Sequence, residues 1–197
     1  MWLPYAHDVR GGVSRCRCSK GRAGPVRAAP TRRLPTTSYL IDINVWLALT
    51  WDGHPQHLPA SGWYGSTGDA NLLFCRFTML GFLRLLTNQA VMGDSTTTLG
   101  GALQLYDRWT EDPRVELAPE PRGTEALIRQ SMAPLARQPA TKAIADCYLV
   151  AFAEAAGANV VTFDRGLAAA AQFRQVAVTL LEAIAPPPKL KHRRPAG

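Results

Sequence analysis

The fold of this chain is decided by residues 39–44, which read YLIDIN. A short apolar run ends there at Asp42, and Asn44 follows two positions later. Two more acids stand in comparable places, because Asp146 lies within an alanine-rich helical stretch and Asp164 closes another strand-like run. The carboxyl ends of parallel strands share one edge of an open α/β sheet, so these acids can gather there. A cluster of carboxylates suits a hard divalent cation such as Mg²⁺ and predicts metal-assisted hydrolysis.

The apolar runs along the rest of the chain alternate between strand-like and helix-like patterns. Strands are predicted over 38–43, 71–75, 114–117, 159–163 and 175–180. Helices are predicted over 45–51, 78–88, 99–109, 124–137, 141–156 and 167–173, with another helix starting within 60–63. Pro134 is expected to bend or end the helix that contains it. Strands that alternate with helices imply an α/β fold in which helices cover both faces of a parallel sheet.

The charge of the 197-residue chain is distributed unevenly. The net charge is +7, but residues 1–36 carry eight Lys/Arg against one acid and residues 186–197 carry four against none. The central part is therefore acidic, and only the ends could hold a polyphosphate by charge. Residues 1–36 also show no helical or strand period. We predict a basic disordered leader over 1–36, one domain over 37–185 and a basic tail over 186–197.

The cysteines and the apolar content restrict the class of protein. The four cysteines form neither a paired zinc motif nor a disulfide framework, and Cys75 and Cys147 fall in apolar stretches. Such positions are typical of small core residues. No uninterrupted apolar run approaches the length of a transmembrane helix. These observations predict a protein of the reducing cytoplasm that has no membrane as a partner.

Each acid also has a purely structural interpretation. Asp42 and Asp164 precede predicted helices, where aspartate is favoured as an N-cap. Asp146 lies in the first half of its helix, where the carboxylate either reaches solvent or is favoured by the helix dipole. Thr162 stands two residues before Asp164 on the same face of its strand, so its hydroxyl could orient a carboxylate or a metal-bound water. The pattern alone leaves both interpretations of each acid open.

Four segments together resemble the PIN-domain ribonucleases, specifically the VapC-type toxins of bacterial toxin–antitoxin pairs. They are residues 40–45 (LIDINV), 77–84 (FTMLGFLR), 144–149 (IADCYL) and 161–164 (VTFD). The resemblance covers about residues 38–182. It implies a PIN-like three-layer fold with a five-stranded parallel sheet. It further implies an endoribonuclease that hydrolyses RNA phosphodiester bonds with Mg²⁺ or Mn²⁺, forms a homodimer and is held in check by a small cognate antitoxin protein.

The resemblance assigns site residues by position. In the family, a strand-end Asp, a helical Glu, a helical Asp and a final strand-end Asp surround one or two metal ions. Asp42, Asp146 and Asp164 match the three aspartates as catalytic and metal-binding residues, and Asn44 matches as a supporting polar group. Met79 stands where the family usually places the Glu, and a thioether is a poor ligand for Mg²⁺. Three carboxylates suffice for one ion, so the sequence favours one ion over two.

Other polar and aromatic side chains carry weaker patterns. Arg84 is predicted either to hold an RNA phosphate or to pair with an acid on its own surface. His54 and His57 are three residues apart, but Pro55 lies between them and no third metal ligand is evident. A solvated loop is therefore the preferred interpretation of the two histidines. The tryptophans could stack on bases, but they are expected to pack in the core or in a dimer interface.

Two other functions fit parts of the pattern. Asp42 could be the nucleophile of a phosphohydrolase that resembles the haloacid dehalogenases, although those enzymes prefer Asp at the position of Asn44 and a downstream lysine. Met79 could instead mark lost catalysis in a PIN-like module that binds RNA or a partner protein. Metal-dependent cleavage of RNA distinguishes an active endoribonuclease from such a binding module.

Overall fold

A parallel five-stranded sheet forms the centre of the computed structural model, which describes residues 37–182 except residues 138 and 142. The strands are β1 (Ser38–Ile41), β2 (Asn71–Phe74), β3 (Val115–Leu117), β4 (Asn159–Thr162) and β5 (Val178–Leu180). They lie in the order β3-β2-β1-β4-β5, and each neighbouring pair is parallel. The predicted leader over 1–36 and the predicted tail over 186–197 lie outside the described residues.

Helices connect the strands in the alternating pattern that the sequence predicts. They are α1 (Ile43–Thr50), α2 (His57–Ser66), α3 (Arg76–Leu86), α4 (Gln89–Met92), α5 (Leu99–Glu111), α6 (Thr124–Met132), α7 (Ala143–Ala156) and α8 (Arg165–Phe173). Short 3-10 turns follow α4 at Gly93–Ser95 and α6 at Ala133–Leu135. Within the described part of the chain, none of these helices is both long enough and apolar enough to cross a bilayer.

Alternate strand residues point into two hydrophobic cores, one on each face of the sheet. In β1, Ile41 belongs to a core that also contains Trp46 of α1 and Phe82 of α3. Its neighbour Leu40 belongs to a second core, which contains Phe152 of α7. Because successive side chains of a strand point to opposite faces, the sheet is covered on both sides. The predicted three-layer α/β architecture is confirmed.

Trp46 packs inside the first core and Trp109 packs against it, as expected. Trp46 is fully buried and stacks on Phe74 of β2, with ring centroids 3.9 Å apart and planes 8° apart. Trp109 of α5 packs edge-on against Trp46, and its indole N–H donates to the Thr50 hydroxyl at 2.8 Å. Aromatic pairs of this kind add to the free energy of burial, so α1, α5 and β2 are held together at this point.

The main differences from the predicted boundaries have local causes. β1 ends at Ile41 rather than at residue 43, because Asp42 turns the chain and caps α1. β5 begins at Val178 rather than at residue 175, because Gln175 has a φ of 59° and belongs to a turn. The helix predicted over 124–137 ends at Met132 and continues as a 3-10 turn around Pro134, in agreement with the expected effect of that proline.

A partly buried ion pair joins the end of α5 to the loop before β2. Nη2 of Arg114 donates to Oδ2 of Asp112 at 2.8 Å, and Nη1 donates to the Gly68 carbonyl at 3.0 Å and to the Thr67 hydroxyl at 3.1 Å. The hydroxyl of Tyr64 also donates to Asp112. The hydrogen bonds from Arg114 are the main reason that the pKa of Asp112 is lowered from 3.8 to about 2. Ionised Asp112 therefore stabilises the junction between these elements.

Asp112→Asn should lower the free energy of unfolding at neutral pH by on the order of 1–2 kcal/mol. The folded-state pKa lies below the ordinary value, so this stabilisation is present above about pH 4 and is lost as the pH falls toward about 2. Urea unfolding measured between neutral and acidic pH should thus give a flatter pH dependence for the variant.

Glu125→Gln is a matched control, because the Glu125–Arg129 pair is largely exposed, with 69% and 78% of the two side chains accessible. An exposed pair contributes little to stability. If wild type and Asp112→Asn lose stability equally steeply in acid, other carboxylates are responsible for the acid sensitivity.

Candidate active site

Asp42 connects β1 to α1 at the carboxyl edge of the sheet. Its backbone N–H donates to the Val161 carbonyl of β4 at 2.9 Å, which continues the strand pairing by one residue. The turn leaves only 8% of Asp42 exposed. Oδ1 of its carboxylate accepts from the backbone N–H of Ile43 at 2.7 Å and caps α1. Both the backbone and the side chain of Asp42 are therefore fixed.

The hydroxyl of Thr162 joins the ends of β1 and β4. It donates to Oδ2 of Asp42 at 2.8 Å and accepts from the backbone N–H of Asp164 at 2.9 Å. Thr162 is fully buried, so few other groups can satisfy these two partners. One side chain thus holds both carboxylate-bearing segments in place.

The pKa of Asp42 is raised to about 6. Burial is the main cause, because it disfavours the charged carboxylate, and the hydrogen bonds from Thr162 and Ile43 oppose this effect. The negative charges of Asp164 and Asp146 raise the pKa further. This repulsion indicates that the three acids share one region of the sheet edge.

Asp146 and Asp164 approach one another across Gly166. Asp146 lies half-buried in the first turn of α7, and its pKa is raised first by burial and then by the charge of Asp164. Asp164 is exposed, and its Oδ1 accepts from the backbone N–H of Gly166 at 2.6 Å as the N-cap of α8. A β-carbon on Gly166 would lie 3.1 Å from Oδ1 of Asp164 and 4.0 Å from Oδ2 of Asp146. Glycine therefore keeps the space between these carboxylates open.

The structural interpretation of Asp42 and Asp164 as helix N-caps is confirmed, and it is compatible with cation binding. Among the described residues, no three His, Cys, Asp or Glu side chains lie close enough together to enclose a metal ion. The same part of the chain offers no lysine or arginine that forms an ion pair with Asp42, Asp146 or Asp164. Carboxylate oxygens are the ligands that Mg²⁺ prefers, so the side chains present fit a hard divalent cation chemically.

The other predicted site residues lie at different distances from these acids. Asn44 is exposed in the first turn of α1. Met79 is half-buried in α3 and packs against the first core. Arg84 is exposed in the last turn of α3. Since α3 begins at the carboxyl edge, about 12 Å of helix separates Arg84 from that edge. An RNA contact by Arg84 stays a prediction.

Two clefts border the acids. A polar cleft of about 520 Å³ is lined by Asn44, His54, Pro55, Gln56, Phe163, Asp164 and Arg165. A more apolar cleft of about 430 Å³ has Asp146 and Gly166 in its wall, together with residues such as Val150 and Phe173. The sequence pattern did not assign His54 to the site, because its spacing from His57 was the only signal. His57 starts α2, where Nδ1 donates to the Ala48 carbonyl at 2.8 Å, so the prediction of a solvated loop is wrong for this residue.

Comparison with known sequences relates this arrangement to characterised proteins. A sequence model of the PIN domain matches residues 39–172, which include all three acids. Ribonuclease VapC41 of Mycobacterium tuberculosis is 38% identical over 130 residues, which cover 64% of this chain and 88% of that protein. Ribonuclease VapC39 of the same organism is 29% identical over 147 residues, which cover 71% of this chain and 97% of that protein.

Solved structures share the fold at low sequence identity. VapBC2 of Rickettsia felis, solved with a DNA fragment from their promoter, gives a TM-score of 0.52 at 8% identity and covers 74% of this chain and 100% of that chain. VapC20 of Mycobacterium tuberculosis, described as a Sarcin-Ricin loop cleaving toxin, gives 0.50 at 17% identity and covers 67% of this chain and 94% of that chain. At these identities the likeness concerns the fold alone.

Thr162→Val should raise the pKa of Asp42 above its present value of about 6, because the variant removes a hydrogen bond that lowers it. It should also lower the free energy of unfolding by about 1–3 kcal/mol, since a buried carboxylate oxygen and the Asp164 N–H lose their partner. NMR titration of the Asp42 carboxyl and urea unfolding measure the two effects. Thr162→Ser keeps the hydroxyl and should resemble wild type. An unchanged Asp42 pKa in Thr162→Val would show that the hydroxyl does not control this carboxylate.

Proposed function

We propose a function on the premise that the chain belongs to the PIN-domain family, as the match over residues 39–172 and the 38% identity to a VapC ribonuclease show. The protein is an endoribonuclease of the VapC type, which hydrolyses RNA phosphodiester bonds as the toxin of a toxin–antitoxin system. It depends on Mg²⁺ or Mn²⁺, and Asp42, Asp146 and Asp164 bind the ion.

The observation that carries this proposal is that Asp42, Asp146 and Asp164 lie at one edge of the sheet and form no ion pair with a basic side chain of the described residues. Carboxylates are rarely buried unless they are paired, yet Asp42 is 8% exposed and is stabilised by hydrogen bonds and the N-terminus of α1, with no basic partner among the described residues. The charges of Asp146 and Asp164 act on it in the unfavourable direction. A divalent cation between these carboxylates would replace their mutual repulsion with attraction to a positive charge. This supports a metal site made from these residues.

The residues of the site have distinct roles in the proposed reaction. The cation, when bound, supplies positive charge that activates water and offsets the charge of the scissile phosphodiester. Thr162 keeps Asp42 oriented through the hydrogen bond to Oδ2. Asn44 is exposed beside Asp164 in the polar cleft, where its amide can orient the RNA backbone. No side-chain nucleophile is required, because water attacks the phosphorus.

The proposed partners follow from the VapC relatives and the acidic edge. A small cognate antitoxin blocks the cleft beside Asp164 and prevents RNA from entering it. The toxin forms a homodimer and acts in the cytoplasm, where its RNA substrate is present. Size measurement of the purified chain by light scattering tests the dimer directly.

Asp42→Asn, Asp146→Asn and Asp164→Asn should each abolish metal-dependent RNA cleavage while the fold is retained. Each change removes one of the negative charges at nearly constant side-chain volume, so cation binding weakens and packing is spared. Cleavage assays with Mn²⁺, calorimetric Mn²⁺ titration and thermal unfolding measure the three properties. Asp94→Asn is the matched control, because Asp94 is exposed in the 3-10 turn after α4. Full metal-dependent activity in two of the three variants would contradict the carboxylate hypothesis.

Met79→Glu should tighten Mn²⁺ binding and keep or increase activity, provided that residue 79 faces the metal site as the resemblance to the family implies. The new carboxylate adds a fourth negative charge and replaces water oxygens around the ion. Unfolding temperatures of wild type and variant, with and without Mn²⁺, measure the effect. Met79→Gln is a neutral control of similar size. If Met79→Glu is destabilised and Mn²⁺ does not restore its stability, residue 79 belongs to the core and is not aligned with the metal site.

A further inference from the structure

The polar cleft beside Asp164 contains a histidine that the proposed reaction does not use. Its volume of about 520 Å³ lies in the range of ligand sites, about 300–1,000 Å³. Asn44 and Asp164 line it, and the loop between α1 and α2 supplies His54 and Gln56. His54 is therefore placed where a substrate that reaches the carboxylates would pass.

The loop that carries His54 has a defined conformation. The backbone N–H of His54 donates to the Trp51 carbonyl at 2.9 Å, and the N–H of His57 donates to the His54 carbonyl at 2.9 Å. The Trp51 indole lies directly over Gly53, where a β-carbon would stand 2.7 Å from Nε1. Two consecutive turns and this close contact hold the His54 backbone at the wall of the cleft.

One ring nitrogen of His54 is used by the chain itself. Nδ1 accepts from the backbone N–H of Gln56 at 3.1 Å, so it carries no hydrogen, and in the neutral ring Nε2 carries it instead. Among the described residues, no group accepts a hydrogen bond from Nε2. The pKa of His54 is lowered, mainly by burial and also by the charge of His57, which favours this neutral form. His54 is thus a neutral hydrogen-bond donor without an acceptor in the described residues.

His57 shows by contrast what a structural histidine looks like in the same loop. Its Nδ1 donates to the Ala48 carbonyl at 2.8 Å, and its Nε2 lies 3.2 Å from the Ser61 hydroxyl. Both ring nitrogens of His57 have partners within α1 and α2, and the residue does not line the cleft. The two histidines therefore differ in their hydrogen-bond partners. Among the described residues, Nε2 of His54 has none, whereas both ring nitrogens of His57 have one.

The chemistry of the cleft suits a phosphodiester. Besides His54, the wall offers the amides of Asn44 and Gln56 and the guanidinium of Arg165, and such donors are the usual contacts to phosphate oxygens. Phe163 adds an aromatic side chain to the same wall, and a nucleic-acid base can stack on such a ring. Donors together with an aromatic side chain match one nucleotide of a single strand.

We propose that Nε2–H of His54 donates a hydrogen bond to a phosphate oxygen of the RNA nucleotide that follows or precedes the scissile bond. This inference rests on the proposed ribonuclease function and adds a substrate-binding residue to it. His54 transfers no proton in this role. It positions the RNA strand in the polar cleft, so its loss weakens substrate binding more than the chemical step.

Steady-state cleavage of a fluorophore-labelled single-stranded RNA of mixed sequence, with Mn²⁺, tests the proposal on the full chain. His54→Asn and His54→Leu should raise KM about tenfold, the equivalent of about 1.4 kcal/mol, with a smaller change in kcat. His54→Gln should keep KM close to the wild-type value, because a glutamine amide nitrogen reaches approximately the position of Nε2. An asparagine amide does not reach it. Calorimetric Mn²⁺ affinity should be the same in all variants.

Two results would overturn the proposal. One is a KM within twofold of wild type for both His54→Asn and His54→Leu, and the other is a failure of His54→Gln to differ from His54→Asn. If wild type itself cleaves no RNA, the proposed function is wrong. Fluorescence anisotropy with the same RNA then still decides whether His54→Asn binds RNA more weakly than His54→Gln.

Discussion

The pairing of β1 with β4 is the constraint on which the site depends. In this register Ile41 lies opposite Val161, so Asp42 and Thr162 meet where the two strands end. The hydroxyl of Thr162 can then reach Oδ2 of Asp42 at 2.8 Å. A slip of β4 by one residue would turn Thr162 to the other face of the sheet and would leave the Asp42 carboxylate without this donor. The positions of the acids are thus a consequence of backbone pairing between strands 120 residues apart.

Three helix N-termini compensate for the negative charge of the site. Asp42 caps α1, Asp164 caps α8, and Asp146 lies in the first turn of α7. Each N-terminus favours a nearby carboxylate by about 0.3–1 kcal/mol. α1 follows β1 and α8 follows β4, while α7 leads back to the start of β4, so all three helices begin at the carboxyl edge of the sheet. This geometry brings Asp42, Asp146 and Asp164 to one edge of the sheet, where no lysine or arginine of the described residues forms an ion pair with them.

The sequence predicted the parts of this arrangement that are visible in residue patterns. The alternation of apolar runs predicted the parallel sheet, and the spacing of Thr162 from Asp164 indicated an orienting hydroxyl. The sequence did not reveal the role of His54, because Nδ1 is held by the backbone N–H of Gln56 and a backbone partner leaves no residue signature. It also did not reveal α4, since a helix of four residues is too short to show a period. Elements fixed by local backbone geometry are therefore the ones that pattern analysis misses.

The neutral side chain of Met79 has a consequence for the charge balance of the edge. Ile43, the neighbour of Asp42, packs directly against Gly81, so α3 runs close to the Asp42 turn. With its pKa raised to about 6, Asp42 ionises less readily than an ordinary aspartate. A fourth acid in this region would raise that pKa further and would leave more of Asp42 protonated whenever no cation is bound. A neutral methionine in α3 adds no such repulsion to Asp42. The acidic edge therefore carries one charge fewer than a fourth carboxylate in α3 would give it, and Asp42 ionises more readily for that reason.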